Sequence, residues 1–397
     1  MAQMTPQQIN AMARAAIKAR AVKMTQQIFG NAFTAATGNL AASTPQVTVN
    51  PRFVGLVKGY WVKVVATITN GSAVPINITD FGPANTFSQI QFNDLNNNTR
   101  IQTAGWHVHL INSIKARRPF DTAWVRTTGF DSPIGYGSNW IGQISAPAQI
   151  AAGANGTVTM WYWVPLAYSD DDYRGAVYMN VVNATAQLLL SFNPTPVVAF
   201  NTDSTLAMYV GSVPGSVALA VMSAATITAY QVYMDQLPTG PQGVLLPIVD
   251  LATIYELKNT TFTAIVQNQD FPMQYSNFRD FLSTVMIYNN NGAVGNGRSN
   301  GQDINYLALQ SANFTNIFKV NPDLQALITR NHLQTDLPFG TYYFSSREKP
   351  ISTQQYGNME LILNASNATA GSAYTLVGYE DFALVQTLSM AGSLAAS

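Results

Sequence analysis

The chain is predicted to be all-β: two eight-stranded jelly rolls in tandem, with inserted loop helices and an N-terminal helix. Three observations predict this. Apolar and polar residues alternate over long stretches, clusters of Gly, Pro and Asn interrupt those stretches, and the order of segments repeats loosely about one break. The break is LPTGPQG at residues 237–243. Its two prolines remove backbone donors, and its two glycines permit positive φ. About one sandwich of strand-like sequence precedes it and slightly less follows. Two duplicated sandwiches should leave no continuous sheet crossing this joint.

Taken in order, Thr5-Pro6-Gln7-Gln8 offers an N-cap, a first-turn proline and a capping-box glutamine, so a helix is expected over residues 6–29. Residues 30–50, uncharged and rich in Ala, Thr and Gly, read as an extended arm. Residues 53–69 are a long strand. Val54, Leu56, Tyr60, Val62, Val64, Ala66 and Ile68 share one face, Trp61 and Lys63 lie on the other, and Asn70-Gly71 closes a hairpin. Further strands are expected at 87–92, 157–164, 187–192 and 206–210, with a helix at 106–115. In the second half, the apolar run 244–257 looks like the counterpart of 53–69. The run 281–288 ends in an Asn/Gly turn much as 89–92 does. Helix-like segments follow at 304–318 and 322–332, then strands at 341–344, 359–363 and 374–385. Asn97 and Asn290 are 193 residues apart, and Tyr162 and Tyr343 are 181 apart, which suggests a duplicated unit. The expected division is 1–50 helix and arm, 51–237 first jelly roll, 244–386 second jelly roll and 387–397 a C-terminal arm.

Only 10% of the 397 residues are charged, against about 25% in typical domains, and the net charge is zero. Such a surface does little to resist self-association. The charge is also uneven. Residues 1–79 hold seven bases and no acid, giving +7; the remaining thirteen bases and twenty acids give −7. A basic N-terminal end suits an anionic partner, either lipid or nucleic acid; for a lipid partner, Arg14, Lys18, Arg20 and Lys23 are the candidate membrane-facing residues. With no cysteine, disulfides and thiolate chemistry are excluded. No secretory signal is visible, and no stretch of about 20 residues is apolar enough to span a bilayer.

Candidate chemistry is sparse. On a strand, His107 and His109 would share a face and could hold a metal, but no third ligand is nearby, and His332 is the one other histidine. Asp170-Asp171-Asp172 lacks the alternating spacing of a calcium loop. Trp161 and Trp163 could form a sugar platform, yet bulky residues on both faces of a strand read more readily as core. No P-loop, nucleophile elbow or dinucleotide fingerprint occurs. No catalytic, cofactor-binding or metal-binding residues are therefore assigned, and the chain reads as a non-enzyme with no cofactor.

Several strings carry a family resemblance: VGLVKGYWVKVVATITN at 54–70, TDFGPAN at 79–85, GWHVHLINS at 105–113, DSPIGYG at 131–137, and APAQIAAGANGTVTMWYWVPLAYS at 146–169. YMDQLP at 233–238, DINYL at 303–307 and KPISTQQYGN at 349–358 continue it. Together they resemble the major capsid proteins of tectiviruses, tailless icosahedral phages with an internal membrane, collinearly from about residue 54 to 385. The resemblance implies a coat protein with two upright jelly rolls. Three chains would form a pseudo-hexagonal capsomer, within a virion shell around a membrane and a double-stranded DNA genome, assembled in the host cytoplasm. Implied partners are two further copies, neighbouring capsomers reached by the C-terminal arm, membrane lipids met by the N-terminal helix, and minor capsid and vertex proteins. Sequence-specific nucleic-acid contact is not implied. Composition alone leaves a carbohydrate-binding or carbohydrate-cleaving β-sandwich as the alternative.

Overall fold

The computed structural model describes residues 21–115, 144–169, 172–180, 185–235, 253–276, 278–290, 301–312, 314–333, 337–338, 340–369 and 372–384, with residues 8, 11, 12, 15 and 16. Sixteen strands build two sandwiches. The first eight are β1 (Val22–Thr34), β2 (Gln46–Val49), β3 (Leu56–Asn70), β4 (Phe87–Asn93), β5 (Thr99–Thr103), β6 (Asn155–Pro165), β7 (Gln187–Phe192) and β8 (Ala220–Asp235). The second eight are β9 (Thr253–Thr263), β10 (Asp270–Gln274), β11 (Arg279–Asn289), β12 (Ile304–Ser311), β13 (Phe314–Val320), β14 (Thr341–Ser345), β15 (Met359–Ala365) and β16 (Tyr374–Leu384). Short strands add to the sheet edges and form a small extra sheet beside the first sandwich.

The first sandwich faces sheet β1-β8-β3-β6 against β2-β7-β4-β5; the second faces β9-β16-β11-β14 against β10-β15-β12-β13. Each strand of the second half occupies the sheet position of the strand eight before it. The bulges agree as well. Between β8 and β3 the register slips at Val232/Tyr233, leaving Lys58 as the extra residue; between β16 and β11 it slips at Phe281/Ser283, leaving Leu282 extra. Gly59 therefore matches Ser283, and Trp61 matches Val285.

Alternation explains the cores. Val62, Val64, Ala66 and Ile68 of β3 point inward and are fully buried, against Ile227 and Ala229 of β8 and Val158, Met160 and Tyr162 of β6. Across the sandwich, Tyr60 meets Phe92 with centroids 5.6 Å apart, and Phe87 meets Tyr162 at 5.3 Å. In the second sandwich Met273, Tyr288, Leu307, Leu361 and Leu363 fill the centre, and Phe318 stacks on Phe344 at 5.3 Å. Each such side chain removes enough apolar area to stabilise the fold by about 1.5–3 kcal/mol.

Several sequence expectations need correction. Gln8, Ala11, Met12, Ala15 and Ala16 are helical, but the helix does not run to residue 29, because β1 occupies Val22–Thr34. β1 pairs with β8 at twelve positions, and Ile28, Phe29 and Phe33 pack on the first core. That pairing and burial outweigh the few tenths of a kcal/mol per residue of helix propensity. The supposed arm at 30–50 holds the end of β1, a short helix Leu40–Ser43 and β2. The first sandwich thus begins at Val22, not at residue 51. Residues 304–318, expected to be helical, form the β12–β13 hairpin: Leu307 and Leu309 enter the second core, while Tyr306, Ala308 and Gln310 lie outside it, a period of two.

The repeat is present, with different correspondences. The counterpart of β3 is β11, not 244–257, and β9 matches β1. Asn97 and Asn290 follow strands that are not equivalent. Tyr162 and Tyr343 do lie on equivalent strands, one residue out of step, so Tyr162 enters the first core while Tyr343 faces out of the second sandwich. One sheet does cross between the halves. β5 and β9 pair in parallel through Leu257↔Ile101 and Lys258↔Gln102, joining two four-stranded sheets edge to edge. The joint at 237–243, most of the run 244–257 and the tail 387–397 lie outside the described residues.

Candidate functional site

Each sandwich carries one helix after its fifth strand: α1 (Gly105–Lys115) after β5 and α2 (Pro322–Leu333) after β13. α2 starts where chemistry favours it. Asn321 Oδ1 accepts the Leu324 amide at 2.8 Å, Pro322 and Asp323 fill the first turn, and Arg330 and His332 the last. The two helices are equivalent in detail. Asn112 Nδ2 donates to the Trp163 carbonyl on β6 at 2.6 Å, and Thr329 Oγ1 to the Tyr343 carbonyl on β14 at 3.2 Å. One face of each helix is thereby fixed to its own sandwich.

The opposite face of α1 forms the junction between sandwiches. His107, Leu110 and Ile111 are fully buried, and Ile114 nearly so. Leu110, Ile111 and Ile114 share one continuous hydrophobic core with Leu257, Val285, Ile287, Tyr343 and Leu376 from the outer face of β9-β16-β11-β14. The His107 ring lies against Gly378, where an added Cβ would come within 2.4 Å of ring atoms. Its Nδ1 and the Thr103 hydroxyl are hydrogen bonded at 2.7 Å, and burial lowers its pKa to about 3.

A buried ionic cluster stands beside this contact. Glu380 accepts hydrogen bonds from Tyr255 Oη at 2.7 Å, Ser283 Oγ at 2.6 Å, and Arg347 Nε and Nη2 at 2.8 and 2.6 Å. Lys115, the last residue of α1, reaches Glu380 at 2.8 Å and donates to Tyr255 Oη at 2.8 Å. Burial alone would raise the Glu380 carboxyl; Arg347 and Lys115 outweigh it and hold the group well below the usual carboxylate range. Burial lowers Lys115 to about 8, with Glu380 acting against that fall. The cluster ties the two sandwiches together through Lys115.

Of the sequence-predicted site residues, Arg14, Lys18 and Arg20 lie outside the described residues. Lys23 is exposed but sits on β1 opposite Met234, not on a helix. His107 and His109 are on α1, within the helix expected at 106–115, so residues two apart point to opposite sides and cannot share a ligand. Asp172 binds the Arg174 guanidinium at 2.6–3.1 Å, while Asp170 and Asp171 lie outside the described residues. Trp161 and Trp163 are not core. Both are half-buried on the outer face of β6, where Trp163 packs on Trp61 at 5.0 Å and Trp161 stacks on Tyr230 at 6.0 Å. The ring of Trp163 lies close against Gly59, where an added Cβ would come within 2.7 Å of ring atoms. Sequence reading also missed Leu324, Leu327 and Ile328 of α2, which are 46%, 56% and 46% exposed. Their i, i+3, i+4 spacing is the signal that could have found them.

Comparisons with known proteins bear on both sandwiches. The family model for the P3 major capsid protein N-terminal region matches residues 3–237, and that for the P3 major capsid protein C-terminal region matches residues 252–396. The major capsid protein P3 of Enterobacteria phage PRD1 is 41% identical over 349 residues, covering 87% of this chain and 85% of that protein. Among solved structures, the atomic structure of Sulfolobus Turreted Icosahedral Virus contains a chain that aligns with TM-score 0.62 at 10% identity, covering 93% of each chain. PBCV-1 VP54 aligns with TM-score 0.55 at 11% identity over 91% of this chain and 94% of that one. These structural likenesses extend the double jelly-roll fold well beyond detectable sequence similarity.

Proposed function

The chain belongs to the P3 major capsid protein family, and on that premise we propose that it works as a trimeric capsomer without catalysis. It is the major coat protein of a virion, a double jelly roll whose copies assemble with other capsomers into the shell. The observation that carries this is the match of both family models, which together take in both sandwiches. The trimer is supported by the low-charge surface and by an outer sheet face that carries three tryptophans. Three copies of 43.0 kDa give 129 kDa. Light scattering on the purified protein should return that mass at micromolar concentration, and a monodisperse 43 kDa species would refute the trimer.

The N-terminal segment is proposed to face an anionic membrane inside the shell, with minor capsid and vertex proteins as further partners. Arg14, Lys18 and Arg20, with Lys23 at the start of β1, have no acid near them in sequence. Each base at an anionic lipid surface contributes about 1 kcal/mol. One arm binds weakly; three on a trimer bind firmly through effective concentration. Trimers should float with anionic liposomes at low salt and not at 1 M, where the Debye length is about 3 Å. A variant with all four bases changed to Gln should sink at both. If it floats as well as the wild type, charge is not the cause.

A further inference from the structure

We propose that the cavity at the seam between the two sandwiches, where the ends of α1 and α2 meet the loops after β6 and β14, binds a small organic carboxylate.

The cavity has a volume of about 370 Å³, within the range of pockets that hold small molecules. Its walls divide by chemistry. Ile114 of α1, Leu333 of α2 and the half-buried Tyr168 of the loop after β6 make an apolar side. Lys115 at the end of α1, Arg347 in the loop after β14 and His332 at the end of α2 make a polar side. Glu348 borders the cavity but is exposed to water, where its charge is screened.

Charge inside the seam does not balance. Two cations, Lys115 and Arg347, share one carboxylate, Glu380, at 2.8 and 2.6 Å. The Lys115 and Arg347 side chains are 21% and 13% exposed, and that of Glu380 is 0%. Asp172 also acts on Lys115, but it pairs with Arg174 at 2.6 Å, so those two cancel. Tyr168 and Tyr255 present their rings to Lys115, with Nζ 4.5 and 4.4 Å from the centroids. One positive charge is thus left over in a largely water-excluded place. Such a charge keeps its desolvation cost until an anion joins it. The lowering of Lys115 to about 8 has the same origin: burial outweighs what the shared carboxylate returns.

A donor is also open. Glu380 takes Nε and Nη2 of Arg347. The third nitrogen, Nη1, meets no acceptor among the described residues, and Arg347 lines the cavity. The three protons of Lys115 are committed to Glu380, Tyr255 Oη and the Tyr168 carbonyl. Lys115 therefore supplies charge, and Arg347 supplies the hydrogen bond. A carboxylate on Nη1, with a ring or short alkyl body against Ile114, Leu333 and Tyr168, satisfies both sides of the cavity. A bare inorganic ion would leave the apolar side wet, and a dianion would bring one charge more than the seam lacks.

Benzoate is the probe, titrated by calorimetry onto the full-length protein at low salt. Saturable binding at one site per chain is expected. Acetate, which has the charge without the ring, should bind about tenfold more weakly. Benzyl alcohol, which has the ring without the charge, should give no measurable heat. Arg347→Lys keeps a cation for Glu380 and removes Nη1, and should weaken benzoate about tenfold. His332→Glu puts an acid on an exposed residue of the lining; it should weaken benzoate while the circular dichroism spectrum stays that of the wild type. At pH 8 binding should take up about half a proton per site, because an added anion raises Lys115 and benzoate itself stays ionised there. The uptake is read from the change in heat between buffers of different ionisation enthalpy. If Arg347→Lys folds poorly, His332→Glu and the proton uptake carry the test. No saturable heat, benzoate binding untouched in the folded variants, or no uptake at pH 8 would overturn the site. Acetate binding as tightly as benzoate would overturn its apolar half.

Discussion

Replacing Glu380 by Gln keeps the size of the side chain and removes its charge. In the wild type this carboxylate accepts bonds from Tyr255, Ser283 and Arg347 and pairs with Lys115, and its side chain is fully buried. Removing one partner of a buried ion pair costs about 3–5 kcal/mol, since the remaining charge keeps its desolvation penalty. Here two cations are left, Arg347 and Lys115, whose side chains are 13% and 21% exposed. Lys115 can relieve part of the cost by losing its proton, because Glu380 is what opposes the fall of its pKa to about 8. The sign follows. A Lys with a lowered folded pKa binds fewer protons folded than unfolded, so its contribution to stability rises with pH up to the unfolded value near 10.4. Equilibrium unfolding in urea should show Glu380→Gln less stable by about 3–5 kcal/mol at pH 7, with the deficit shrinking toward pH 9. Adding Lys115→Met should recover at least ~1 kcal/mol relative to the sum of the single changes, as coupled partners do. A loss under 1 kcal/mol, or strict additivity with Lys115→Met, would refute the view that this cluster holds the two sandwiches together.

Between pH 6.5 and 4.5, above the range where Glu380 titrates, the neutral buried His107 should cost the folded state about 2 kcal/mol, because only the unfolded chain takes up that proton; His107→Gln should remove that share of the slope and leave the similar share of His109, which burial lowers to about 4. Gly378→Ala places a Cβ 2.4 Å from the His107 ring, so urea unfolding should show a loss of about 1–3 kcal/mol, partly restored by adding His107→Ala. Deleting residues 1–20 should leave the fold intact by circular dichroism, whereas deleting residues 1–34 removes β1 and its pairing with β8, and should give aggregated protein.

The sequence by itself determined the fold class, the doubling and the family. Alternation in 53–69 or 157–164 is a local property, written in which residues would face water, and it survives unchanged in β3 and β6. Long specific strings carried the resemblance. The helix expected at 322–332 is also a local matter, although the stripe of Leu324, Leu327 and Ile328 on it went unread. What only the tertiary structure decided was which segments are equivalent and what each surface meets. β1 has a sequence good enough for a helix and becomes a strand because β8, some two hundred residues away, offers it a ladder and a core. Trp161 and Trp163 read as core because a strand's pattern shows two faces without saying which is covered. Glu380 stands as an acid in an apolar strand, and its partners come from α1, β9, β11 and the loop after β14. No window of sequence contains them all, since they are brought together by packing between the two sandwiches.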